Sequence, residues 1–177
     1  MADLTLIEAF LNTVDERTFV RNGTRHVAGE HLTSPQALAE WLTAHGLAAA
    51  GAPVRAADLT VTKDLRTALR ETLDGDADDG TATATALARY PLRLEPGASG
   101  ELHLAAASGR PWLDVIVETV ARSVARDDWK RIKLCAAADC RWAFHDTSRN
   151  GRGRWCDMEV CGNRHKTRTY RERRRQT

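Results

Sequence analysis

Cys135-Ala-Ala-Ala-Asp-Cys140 and Cys156-Asp-Met-Glu-Val-Cys161 hold all four cysteines of the 177-residue chain inside 27 residues. Both pairs have a four-residue gap, and 15 residues separate them. Each pair can turn back as a knuckle so that both sulfurs reach one ion at about 2.3 Å, and four thiolates close a tetrahedron around Zn2+. A closed sphere has no position for water, so a single such zinc holds structure and does no chemistry. Two disulfides, or four unrelated buried thiols, are the other readings of these residues. The remaining 150 residues contain no cysteine, and Met1-Ala-Asp-Leu does not open a secretory leader. Both features favour metal held in a reducing cytoplasm.

Outward from the cysteines, Ile132 and Leu134 precede the first pair, while Trp142 and Phe144 follow it. This alternation predicts two short antiparallel strands around the knuckle, as in a zinc ribbon. Trp142, Phe144 and Trp155 are expected to cluster over the metal, and a basic helix is expected from Met158 onward. Some 45 residues bury too little surface to fold alone, so metal binding should supply much of the folding energy.

Charge divides at the same place. Residues 1–128 hold 12 Lys/Arg against 19 Asp/Glu, net −7, and residues 129–177 hold 14 against 5, net +9. Four thiolates on one zinc absorb about two positive charges, and the remainder suits a polyanion. The candidate nucleic-acid contacts are Arg149, Arg152 and Arg154 around the Gly151/Gly153 loop. Arg164, Lys166, Arg168, Arg171, Arg173, Arg174 and Arg175 extend them along the C-terminal helix. Such residues bind phosphate by charge and counterion release, and arginine forks also read guanine edges. The plainer account is that they solvate the surface, neutralise thiolates and pair with the acidic first part. Asn163 reads as a brace bonding the knuckle backbone or a cysteine sulfur. Arg164 reads equally as a brace or a phosphate ligand.

The first 128 residues read as a helical domain. Leu4, Ile7, Phe10, Leu11 and Val14 form one helical stripe, with Asp3 placed to cap it. Asn12, Asp15, Arg17 and His26 near its end could line a pocket, but read more simply as polar residues on a solvated face. Ser34-Pro35 starts a second helix that ends at Gly46. A third is expected over residues 62–73, then an acidic linker at 74–80 that lacks the terminal glutamate of a calcium loop. Residues 81–89 suggest a short helix. Leu92 and Leu94 alternate with charged residues and Leu102 and Leu104 with His103, predicting a hairpin half buried on its leucine face. Pro111 opens the expected longest helix, whose band of Trp112, Val115, Ile116, Thr119, Val120 and Val124 should centre the core. Asp127-Asp128 marks the expected boundary between units at 1–128 and 129–177. The fold class is therefore mainly α (α+β).

Arg131-Ile-Lys-Leu-Cys135, Phe144-His-Asp-Thr-Ser-Arg-Asn150, Arg154-Trp-Cys156 and Cys161-Gly-Asn-Arg164 occur in order ahead of a basic tail. Together they resemble the CGNR zinc finger over about 45 residues. Members of that family usually carry an upstream helical ABATE domain, and Phe10-Leu-Asn-Thr-Val14 and Leu38-Ala-Glu-Trp-Leu42 are similar to it. The resemblance implies a stress-induced transcription regulator. Three expectations follow. The first is a DNA-binding regulator whose N-terminal part senses a small-molecule effector or forms a homodimer, with RNA as an alternative polyanion. The second is a protein-interaction zinc module with an acidic partner. An enzyme ranks last, since no paired carboxylates, nucleophile motif or phosphate loop appears. No run of 18 apolar residues exists, so no membrane partner is expected.

Overall fold

A computed structural model describes residues 2–21, 23–74 and 80–175. The Asp3 side chain and residues 75–79 of the acidic linker lie outside the described residues, and the readings made of them rest on sequence alone. The chain runs α1 (Ala2–Leu11), β1 (Val14–Asp15), β2 (Val20–Arg21), β3 (Thr24–Arg25), β4 (Gly29–Glu30), α2 (Pro35–Ala44) and α3 (Ala56–Asp74). It continues through α4 (Thr81–Leu87), β5 (Leu92–Pro96), β6 (Leu102–Ala106), α5 (Pro111–Ala125), β7 (Ile132–Leu134), β8 (Ala143–His145) and α6 (Asn163–Arg175). All sheets are antiparallel two-stranded ribbons, pairing β1 with β4, β2 with β3, β5 with β6 and β7 with β8.

The main core joins α1, α3 and α5. Ile7, Phe10 and Leu11 meet Leu65 and Leu69, with Leu113 and Ile116 closing the third side. Ile132 and Ala143, one from each strand of the ribbon carrying the first cysteine pair, are buried in this same cluster. The helical part and the metal-binding part thus share apolar packing. A smaller cluster of Leu32, Leu38 and Leu42 sits beneath α2. That helix starts as its sequence predicts: the Ser34 hydroxyl accepts from the Ala37 N–H at 3.1 Å, and Pro35 occupies the first turn.

Three expectations are corrected. First, α3, at 19 residues, is longer than α5, at 15, and begins at Ala56 rather than at residue 62. Asp58 accepts from the Arg55 N–H at 2.8 Å, and the Thr60 and Thr62 hydroxyls bond back to the carbonyls four residues earlier. Both threonines are thereby accommodated within the helix. Second, the buried face of α5 differs in part from the expected band. Ile116 and Thr119 are buried and Trp112 and Val120 pack on the core as expected. Leu113 and Val117 are buried as well, while Val115 and Val124 are exposed.

Third, the leucine face of the β5–β6 hairpin points away from the helices. Leu94 and Leu102 are 66% and 67% exposed, whereas Ala105 on the other face is 7% exposed. The small Ala105 lets β6 approach α5 closely enough for the Ala106 N–H to reach the Glu118 carboxylate at 3.0 Å.

Candidate metal centre and basic helix

The first cysteine pair lies in the loop joining β7 to β8. The Cys135 N–H donates to the Trp142 carbonyl at 2.9 Å, and the Cys140 N–H donates to the Ala137 carbonyl at 2.8 Å. Arg141 then takes the left-handed conformation, φ 53°, turning the chain into β8. The second pair brackets the entry to α6. The Asp157 carboxylate caps a π-helical turn, Met158–Gly162, by accepting from the Glu159 and Val160 N–H groups at 2.8 and 3.0 Å. Cys161 lies within that turn and Cys156 just ahead of the cap. A Cβ at Gly162 would stand 2.6 Å from Sδ of the exposed Met158 side chain, which would have to shift, and 3.3 Å from Trp155 Cδ1.

These elements bring the four Sγ atoms within 4.8 Å of one another. Cys140 and Cys156 sulfurs are 3.6 Å apart, and those of Cys156 and Cys161 are 3.8 Å apart. A tetrahedron with arms of about 2.3 Å has edges of about 3.8 Å, whereas a disulfide needs about 2.05 Å. The four thiols are free of disulfide bonds. The donor set fits one structural zinc, with all four positions taken by sulfur. Phe19, Phe144, Trp142, Trp155 and Val160 wall it from water. The expected aromatic cluster is thus present, with Phe19 added from the N-terminal part.

Electrostatics point the same way. Hydrogen bonds from the Cys140 and Cys156 thiols, helped by the Ala137 and Cys156 N–H groups, bring the Cys135 thiol down to about 2. The same contacts push Cys156 up, and burial together with the charges of Cys140 and Cys135 pushes Cys161 up to about 12. Four sulfurs this close cannot all ionise on their own. A divalent cation at their centre removes the repulsion and releases the thiol protons.

Arg164 supplies the bracing expected of Asn163. Its Nη2 donates to Asp139 Oδ1 at 2.7 Å and approaches Cys161 Sγ at 3.9 Å, and its guanidinium lies 3.6 Å from the Phe19 ring centre. Asn163 is exposed at the start of α6. The loop after β8 is held by Asp146, a residue the sequence did not single out. Its buried carboxylate accepts from Lys133 Nζ at 2.6 Å and from the Ser148 and Gly153 N–H groups at 3.0 and 2.7 Å. Burial alone would raise its pKa, but the Lys133 ammonium and these donors hold it well below the usual carboxylate range.

The polar residues at the end of α1 do not face solvent. The Asn12 side chain donates to the Ala143 carbonyl and accepts from the Ala143 N–H, both at 2.8 Å, and is 7% exposed. Asp15 grips Arg17, whose guanidinium stacks 3.9 Å above Trp142 beside the metal centre. Arg70 of α3 donates to the Arg141 carbonyl at 2.9 Å, and Arg141 pairs with Asp74 at 2.5 Å. The solvated-face reading of Asn12 and Asp15 is corrected: they form the seam on which the metal ribbon sits.

The model of a family described as "Putative stress-induced transcription regulator", ABATE, matches residues 4–141. The chain belongs to the ABATE family. The CGNR zinc finger matches residues 131–174, so the two matches overlap at residues 131–141, which hold β7 and the first cysteine pair. No curated protein matches the chain. In this ABATE protein, Arg149, Arg152, Arg154, Lys166, Arg168, Arg171, Arg173, Arg174 and Arg175 are all exposed. Arg168 pairs with Asp139 at 3.6 Å, Arg154 lies 5.2 Å from the Trp155 ring centre, and Arg174 lies 5.9 Å from that of Tyr170. Arg149 and Arg152 are in the loop that Asp146 holds, and the others from Lys166 onward follow α6. Among the described residues, no helix is long and apolar enough to cross a membrane.

Proposed function

We propose that this chain is a cytoplasmic, non-enzymatic transcription regulator that binds duplex DNA through α6 and the loop at residues 149–154. In this reading the ABATE half receives a small-molecule signal or a second copy of the chain. The observation that carries it is the helix itself. Over 13 residues α6 presents arginines and a lysine with no buried residue, yet its first turn is bolted to the metal centre by Cys161 and Arg164. A helix with no apolar face gains nothing from packing, so its cations face outward at a fixed angle. Phosphate backbones reward that arrangement through counterion release, and a rigidly anchored helix is the element that enters a major groove.

The test is fluorescence anisotropy with labelled duplex DNA at rising salt. With about five phosphate contacts, log K should fall against log salt with a slope of about −4 to −5. Replacing Arg168 and Arg171 together by glutamine should weaken binding about tenfold or more and flatten the slope by about two. Absent binding, or binding indifferent to salt, would rule the reading out.

A further inference from the structure

An open groove of about 650 Å3 separates α6 from the β2–β3 hairpin of the ABATE half. One wall carries Arg168, Arg171 and Arg175, which share a face of α6 at spacings of three and four residues. The other wall is β2, with Arg21 and the 60% exposed Val20. Val20 and Val160 supply the aliphatic lining, and the acids on the groove, Glu159 and Glu172, are outnumbered by its arginines.

The Thr18 N–H donates to the Asp139 carbonyl at 3.0 Å just ahead of the hairpin, and two side-chain contacts add to that tie. Phe19, next to β2, lies under the Arg164 guanidinium at 3.6 Å. Arg21 Nη2 reaches Asp157 Oδ2, the cap of the turn that carries Cys161, at 3.4 Å. Arg21 and Asp157 remain 51% and 34% exposed, and an ion pair so exposed is worth little. A phosphate can therefore replace Asp157 as the partner of Arg21 at small cost.

We propose that one phosphodiester backbone of a DNA duplex lies in this groove, with the β2–β3 hairpin as its second wall and Arg21 as a phosphate ligand. This rests on the reading of α6 as a DNA-binding element and adds to it a contact from outside the zinc finger. Three arginines of α6 on one wall and Arg21 on the other, with aliphatic side chains between them, can grip the phosphates of one strand from two sides. The ABATE half then touches DNA directly, and any change in its seam with the finger would alter the width of the groove.

The experiment compares wild type, Arg21→Gln, the Arg168→Gln/Arg171→Gln pair and Arg89→Gln by anisotropy on one labelled duplex, from low to physiological salt. Arg21 is on an exposed two-residue strand, and Arg89 is an exposed arginine paired with Asp64 at 3.4 Å away from the groove. Arg21→Gln should weaken binding about three- to tenfold and flatten the salt slope by about one. Arg89→Gln should match wild type, because near 0.15 M salt charges act over only about 8 Å. Should Arg21→Gln bind like wild type while the α6 pair loses affinity, the hairpin wall is wrong and the α6 reading survives. Should Arg89→Gln weaken binding as much as Arg21→Gln, the effect is general charge and the groove is wrong. Should wild type fail to bind DNA, both fall together.

Discussion

Stripping the metal with a strong chelator is expected to unfold α6 and both cysteine turns while leaving α1, α3 and α5 helical but less stable. Binding of a structural zinc is worth about 10–16 kcal/mol in isolated fingers at neutral pH, as large as the whole stability of an ordinary domain. No apolar burial replaces it for α6, which buries no residue of its own. The core helices do not depend on the ion directly, since Ile7, Phe10, Leu65, Leu69, Leu113 and Ile116 pack on one another. They do lose support, because Ile132 and Ala143 belong to that core through the metal ribbon. Circular dichroism should show partial loss of helix, and trypsin should cut first among the arginines of residues 163–175. Concerted loss of all helix would mean the two halves fold as one unit, and no loss at all would mean the metal does not hold α6.

Asn12→Leu is expected to cost about 4 kcal/mol without touching a metal ligand. The Asn12 amide satisfies both the N–H and the carbonyl of Ala143 at 2.8 Å in a buried seam. Leucine is of similar size but offers neither donor nor acceptor, and each stranded buried group costs about 1–3 kcal/mol. For a chain of this length the melting temperature should fall by about 10 °C. A shift of less than about 2 °C would show that water or backbone adjustment satisfies Ala143, and that the seam depends on apolar packing alone.

The metal centre was the most legible part of the molecule, because thiolate spacing encodes geometry directly. Cys135, Cys140, Cys156 and Cys161 could be assigned from their gaps, as could the capped start of α2 from Ser34-Pro35. The seam was not legible. Asn12, Asp15 and Arg17 are polar, and polarity next to a turn reads as solvent exposure unless the partner is known. Their partners, Ala143 and Trp142, stand about 130 residues further along. The β5–β6 hairpin failed for a related reason. Alternation shows that a ribbon has two faces, but which face lies against α5 depends on partners outside the ribbon, where the small Ala105 is buried and Leu94 and Leu102 are exposed. The role of Asp146 is not legible locally, because a lone aspartate in a basic loop looks ordinary until Lys133, Ser148 and Gly153 converge on it.

The roles of Asn163 and Arg164 show the same limit at the scale of neighbours. Both stand at the start of α6, where either could brace the sulfurs. The helix turns Arg164 back toward Phe19, Asp139 and Cys161, and leaves Asn163 outside. One residue of helical rotation decides which of the two braces the sulfurs.

Every functional step above relies on a cation seated among the four sulfurs, and metal content measures this most directly. Elemental analysis of freshly purified wild-type protein, never exposed to chelator, should give one zinc per chain. A chain without stoichiometric metal, or with its cysteines paired as disulfides, would contradict the account.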